Sequence, residues 1–318
     1  MQQNLKVVSL GGGHGLAATL RALRSITPEI TAVVTVADNG GSSGRLRAEF
    51  DVLPPGDLRM ALAALCGDDE WGRGWAEILQ YRFQSDGEMG GHTLGNLLLS
   101  ALWNRDGDPV TGIDRVAELL KLDGRVLPMA LDPLDIEALF EIDGEDLRVR
   151  GQVEVATTKG EVKSLQLIPA EPRFTPEARD AILGADWITF GPGSWFSSVM
   201  PHLLLRAEAD AIAASSAKKI VIFNLPEPMS ARELAGSSTA DHLRFILDHL
   251  PSLHIDYALV DKSSVLHEQH LADLKEVVES CGGVVIVEDL RCDDDPIHHD
   301  VIKLNSALSH IFNSSLLR

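Results

Sequence analysis

Near the N-terminus two strands each run directly into a glycine loop, and this pair of transitions limits the fold more than any other feature. Residues 6–10 (KVVSL) form a short apolar run ending in Gly11, Gly12, Gly13, His14 and Gly15, after which residues 16–23 take up helical apolar spacing. Residues 30–37 (ITAVVTVA) are apolar on both faces, as a strand covered on both sides of a parallel sheet is. They end in Asp38, Asn39, Gly40, Gly41, Ser42, Ser43 and Gly44. Four glycines in five residues cost backbone entropy that a plain turn does not need. The first loop therefore predicts a place where unpaired N–H groups and a helix dipole converge, which attracts phosphate.

The rest of the chain keeps this rhythm with two interruptions. Residues 57–125 carry helical spacing (DLRMALAALC, WAEILQYRF, HTLGNLLLSALW, IDRVAELLKL) and read as a helical insertion or layer. Residues 127–170 change to short alternating runs (LRVRGQVEVAT, VKSLQLI) and read as a small β meander. Strands then alternate with helices again: 186–190, 219–224, 255–261 and 284–288, with helices after 194, at 239–250 and around 272–280. This order predicts an α/β fold, a Rossmann-like, doubly wound, mostly parallel sheet in a single domain over residues 1–318. Ligands bind such sheets beyond the carboxyl ends of the strands.

Several polar groups stand where chemistry would occur. In the second loop Asp38 could hold a ribose hydroxyl or a Mg²⁺ ion, the Ser42 and Ser43 hydroxyls can donate, and Arg45 can fork onto phosphate. Pro54-Pro55-Gly56-Asp57-Leu58-Arg59 sets a sharp turn before a helix, with Asp57 placed either to cap it or to meet a ligand; Arg59 sits among apolar neighbours. His92 and Asn96 are four residues apart, on one face of a helix opening. Gly191, Pro192, Gly193 and Ser194 form a third loop at a strand end, with Ser197 and Ser198 just beyond. His298, His299 and Asp300 are adjacent and so point in different directions, and Asp293–Asp295 reads as a solvated turn.

Composition removes other classes. Against 28 Lys and Arg stand 47 Asp and Glu, a formal charge of −19, whereas a nucleic-acid binder needs a basic face. Residues 1–47 nevertheless hold five basic and two acidic residues, a local surplus suited to one small anion. No apolar run reaches bilayer length, and residues 1–10 are too short for a secretory h-region. Three scattered cysteines, Cys66, Cys281 and Cys292, offer no disulfide framework. These features predict a cytoplasmic protein with no membrane and no nucleic-acid partner. Walker A, G-x-S-x-G and the kinase motifs are absent, while Gly13-x-Gly15-x-x-Ala18 followed by Asp38 matches the dinucleotide fingerprint.

In order, the segments GGGHG, VTVADNGGSSGRLR, PPGDLRMALAAL, GHTLGNLLLSAL, GPGSWFSSVMPHLL and HHDVIKL resemble the YvcK-type gluconeogenesis factors. These form a branch of the CofD-like superfamily that includes 2-phospho-L-lactate transferase, and the likeness runs from Val7 to about Leu304. It implies binding of a UDP-sugar such as UDP-N-acetylglucosamine or UDP-glucose, and a role in cell shape and wall synthesis on gluconeogenic carbon sources. By that resemblance the ligand would meet Gly11–Gly15, Asp38–Arg45, Asp57, Arg59, His92, Asn96, Gly191–Ser194, Asn224, His299 and Asp300. The chain departs from the pattern at His14, where the family carries a hydroxyl, and at Asn39, where a second Asp is usual. Residues 225–230 (LPEPMS) also differ.

Three functions compete at this stage. The first is a nucleotide-sugar-binding regulator with no required cofactor, working through a regulatory protein partner or a homo-oligomer. The second is a phosphoryl-type transferase of the phospholactate kind with Mg²⁺ on Asp38, whose catalysis would be mostly positioning and charge neutralisation. The third is an NAD-binding oxidoreductase.

Overall fold

Continuous apolar runs such as VVSLG and ITAVV have no polar face to turn to water, so they pair side by side and are covered above and below. A computed structural model describes residues 5–226, 238–295 and 297–315. The first elements are β1 (Val7–Gly11), α1 (Gly13–Arg24), β2 (Ile30–Val34) and α2 (Gly41–Phe50). A helical layer follows: α3 (Pro55–Ala64), α4 (Glu70–Gln80), α5 (Leu94–Asp106) and α6 (Pro109–Leu120), ending in β3 (Arg125–Pro128). Next come β4 (Asp135–Ile142), β5 (Glu145–Arg150), α7 (Gln152–Thr157), β6 (Glu161–Ile168), α8 (Pro176–Leu183) and β7 (Trp187–Phe190). A π-helical turn, Trp195–Val199, leads to α9 (Met200–Leu204), α10 (Arg206–Ala214), β8 (Lys218–Ile222) and α11 (Thr239–His249). The chain then forms β9 (Tyr257–Asp261), α12 (Glu268–Ser280), β10 (Val284–Glu288) and α13 (Val301–Ser315).

Seven strands form one parallel sheet in the order β10-β9-β8-β7-β1-β2-β3. The chain starts at β1, winds outward through β2 and β3, then returns to the other side of β1 with β7. The strand order therefore reverses between β1 and β7, whose backbones run in register from Val7 opposite Trp187 to Leu10 opposite Phe190. In such sheets the reversal leaves a crevice beyond the strand ends. Ser9 and Thr189, both buried, link the two strands there through their hydroxyls at 2.7 Å. The predicted α/β class holds.

The interruptions are built differently from the sequence expectation. β3, which straddles the boundary between the regions read as helical layer and meander, is the edge of the main sheet. The remaining strands form a separate antiparallel sheet in the order β5-β4-β6, so β4 is central and the unit is not a meander. Residues 152–157 (QVEVAT), which alternate like a strand, are helical instead. Gly151 at φ +112° turns the chain out of β5, and Val155 becomes the buried residue of the turn that follows. The second strand also stops earlier than expected, at Val34. Thr35, Val36 and Ala37 stay buried, tied by Thr35 N–H to Gly11 C=O and by Leu134 N–H to Val36 C=O.

α1 carries the first glycine loop and is wedged between α3 and α13. The seat of α13 is aromatic: Phe312, 1% exposed, meets Trp187 of β7 with ring centroids 4.7 Å apart. Truncating Phe312→Ala leaves a cavity under the sheet and costs about 3–5 kcal/mol. Urea denaturation followed by circular dichroism should show a midpoint lowered to match.

Candidate functional site

Two of the three glycine loops meet at the crevice between β1 and β7. The α1 N-cap is Gly12, and the first bond of the helix, Leu16 N–H to Gly12 C=O, leaves the N–H groups of residues 13–15 at its open end. A Cβ on Gly15 would lie 2.1 Å from the Pro192 carbonyl oxygen, and a Cβ on Gly12 would lie 2.5 Å from Asp57 Oδ2 and from Thr35. The GGGHG loop is thus pressed by Pro192 on one side and by Asp57 on the other. The third loop is pinned by Asn224, whose Oδ1 accepts the Gly193 N–H (2.8 Å) and whose Nδ2 donates to the Gly193 carbonyl (2.7 Å). Ser194 accepts the Ser197 N–H and so starts the π-helical turn.

Beside these loops lies a cavity of about 560 Å³. His14, Gly15, Pro192, Gly193, Ser194 and Asn224, all singled out in the sequence, are among the residues that line it. Trp195, Phe223, His242, Ser264, His270 and Ile297 also line it, brought together from separate segments that give no joint signal in the sequence, and His298 lies beside His14 with ring centroids 6.0 Å apart. Trp195 packs against Phe223 (centroids 5.5 Å, planes 54° apart) and His242 (5.6 Å, 51°), giving a tilted aromatic cluster. Of these, Trp195 had a signal in the sequence, since it directly follows the GPGS loop.

Contrary to the expectation of local cations, no Lys or Arg lines the cavity among the described residues; five imidazoles do. Two of them, His14 and His299, are held toward the neutral form. Burial, the neighbouring His298 and then Arg59 and Arg21 hold His14 below the usual imidazole range. Burial takes His299 down to about 4 against the opposing pull of the Phe223 backbone and Asp261. Its Nε2 is buried without a hydrogen-bond partner among the described residues. An anion at the α1 N-terminus would therefore be held by N–H groups and the helix dipole more than by side-chain charge.

The second loop serves a different purpose from the one its composition suggests. Its chain is helical from Gly41 onward, and its polar side chains are taken up by protein. Asp38 accepts the Gly40 N–H, and Ser43 accepts the Gly56 N–H. Ser42 lies 3.0 Å from His92 Nδ1 and accepts from Asn96 Nδ2 at 3.0 Å, so His92 and Asn96 converge as expected, but through Ser42. His92 itself precedes α5 and is not on it. Arg45, expected to fork onto phosphate, forks onto the carbonyls of Glu88 and Gly90. Asn39 bonds to α7. Buried polar groups need partners, and packing these helices against one another supplies them.

Asp57 does not cap α3, whose N-cap is Pro54; it lies in the first turn and accepts the Gly13 N–H. Burial and the adjacent Asp38 charge push its carboxyl up to about 7, opposed by the Gly13 bond and Arg59. Arg59 is 6% exposed with its Nε lacking a partner among the described residues, and burial and then Arg82 bring it down to about 10. Asp300 accepts the Ile302 and Lys303 N–H groups and closes the first turn of α13. Asp293 pairs with Lys303 and Asp295 with His298, and both carboxylates stay at the surface as expected. Residues 227–230 of the divergent segment lie outside the described residues.

The Asp57 shift has a signed consequence. An unfolded Asp loses its proton near pH 3.8 and the folded one near 7, so stability falls as pH rises through that window and is level above it. Asp57→Asn should therefore raise stability at pH 8 by about 2 kcal/mol, discounted for residual solvent contact. The gain should vanish near pH 4, measured by thermal denaturation across pH.

A family model described as 2-phospho-L-lactate transferase CofD matches residues 7–294. A Mycobacterium tuberculosis protein is 46% identical over 310 residues, covering 96% of this chain and 90% of that protein. A Listeria innocua protein named gluconeogenesis factor is 36% identical over 311 residues, covering 95% of this chain and 94% of its own. A crystal structure of a UPF0052-family protein from Bacillus halodurans superposes with a TM-score of 0.85 at 32% identity, over 97% of this chain and 100% of that one. With a family model spanning this much of the sequence and relatives this similar over nearly its full length, the protein belongs to the CofD family.

Proposed function

We propose that the protein is a gluconeogenesis factor that binds a nucleotide sugar, such as UDP-N-acetylglucosamine or UDP-glucose, and acts as a regulator through that binding. The observation that carries this reading is the cavity at the strand reversal, lined both by the glycine backbone of two loops and by the Trp195–Phe223–His242 cluster. A diphosphate suits the open end of α1, since N–H groups and dipole favour negative charge there. A base or sugar ring suits the aromatic wall. The biological role implied is upkeep of cell shape and wall synthesis during growth on gluconeogenic carbon, in the cytoplasm, through a protein partner.

The geometry weighs against the NAD reading. An acid reserved for a ribose must present a free carboxylate, whereas Asp38 accepts the Gly40 N–H and is turned toward Gly56 and Asp57. A second reading, a phosphoryl-type transferase, is favoured by the Asp38–Asp57 pair: one carboxyl held neutral beside another is a donor pair that Mg²⁺ would bind and deprotonate. Its chemistry would be neutralisation of phosphate charge.

Calorimetric titration with UDP-N-acetylglucosamine, UDP-glucose and NAD, with and without Mg²⁺, tests these readings together. Saturable heat is expected with a UDP-sugar, and at a hundredfold excess over Kd the fold should gain about 2.7 kcal/mol. No heat and no thermal shift at millimolar UDP-sugar overturns the proposal, and binding that requires Mg²⁺ favours the second reading.

A further inference from the structure

The small antiparallel sheet reaches the cavity through a single short element. α7 contributes Ala156 to the cavity lining and packs against the π-helical turn that carries Trp195. Its own hold on the molecule is slight: Val155 is its one buried residue, and β5 before it is exposed at nearly every position. Segments with so few buried contacts open at low free-energy cost unless something pins them.

Asn39 is that pin. Gly151, at the N-cap position of α7, offers no side chain to satisfy the first N–H groups. Asn39 does so from across the molecule: its Oδ1 accepts the Val153 N–H (3.2 Å), and its Nδ2 donates to Glu154 Oε2 (2.9 Å). The fit is close on both sides. A Cβ on Gly151 would lie 2.6 Å from Asn39 Nδ2 and 2.1 Å from Glu154 Oε2, and a Cβ on Gly40 would touch Val153 at 3.4 Å. Both atoms of the amide are used, one as acceptor and one as donor. An aspartate at this position would keep the bond to Val153 but face Glu154 with like charge.

We infer that Asn39 is a positioning residue: by holding α7 through Val153 and Glu154 it fixes the cavity wall at Ala156, and so sets how closely a nucleotide sugar is enclosed. This rests on the binding reading above, and makes Asn39 act on the ligand through α7 and not by touching it. It also makes the second glycine loop and the small sheet one mechanical unit, since the backbone that carries Asn39 continues through Gly40 into α2.

The test is a charge-rescue cycle on the full chain. Asn39→Asp should speed hydrogen exchange at residues 152–157 in the ligand-free protein and weaken UDP-N-acetylglucosamine binding by about three- to tenfold, the size of a typical local coupling. Adding Glu154→Gln should restore both, because the glutamine amide can donate to the new carboxylate. Glu154→Ala, on an exposed side chain, should loosen exchange in the same segment and guards against misfolding of the Asn39 variant. Unchanged exchange in Asn39→Asp and in Glu154→Ala overturns the inference, as does a binding loss that Glu154→Gln fails to rescue, which would mark Asn39 as a direct ligand contact. If the wild type binds no UDP-N-acetylglucosamine, the binding reading fails, and the exchange measurements still decide whether Asn39 holds α7.

Discussion

A single methyl group at residue 15 would come within 2.1 Å of the Pro192 carbonyl oxygen. That contact places the end of β1 and the end of β7 against each other at the point where the sheet reverses its winding, and much else follows from it. α1 can start only where Gly12 and Gly15 leave room for its neighbours. The Pro192 loop can hold its place only because Asn224 clamps Gly193 from β8's end. The N-terminus of α1 then borders the cavity through His14 and Gly15, where its dipole favours negative charge.

On either side of that contact the molecule separates two kinds of polar chemistry. Toward the helical layer, Asp38, Asp57, Ser42, Ser43, His92, Asn96 and Arg59 form a packed polar group linked by hydrogen bonds, with Arg59 Nε and Asn96 Oδ1 buried without a partner among the described residues. Its residual tension is electrostatic, two acids side by side with one guanidinium near them, and it shows as the raised Asp57 and lowered Arg59. Toward α11, α12 and the 297–299 segment, the cavity is lined by imidazoles and aromatic rings, with His299 lowered to about 4 by burial. The first group tunes and braces the glycine loop, and the second offers the space a ligand needs.

What was legible in the sequence was what is local. A strand ending in glycines, followed by helical spacing, is a complete signal within fifteen residues, so GGGHG and GPGS were found with their strands and helices. The helical layer was legible for the same reason. The QVEVAT segment was not, because its helix depends on Gly151 breaking the strand and on Asn39, more than a hundred residues earlier, supplying the cap. Nor does anything nearby in sequence show that the carbonyls of Glu88 and Gly90 fold back onto Arg45. The aromatic wall was hidden too: Phe223, His242 and His270 are ordinary core or surface residues until the sheet brings their segments together.

A structure of the protein bound to UDP-N-acetylglucosamine decides whether one anionic ligand is held at the crevice between β1 and β7. The account predicts the diphosphate at the N-terminus of α1, between residues 12–15 and 192–194, with a ring of the ligand against Trp195 and Phe223. A ligand seated instead on the Asp38–Asp57–Arg59 group, with the cavity empty, would contradict it.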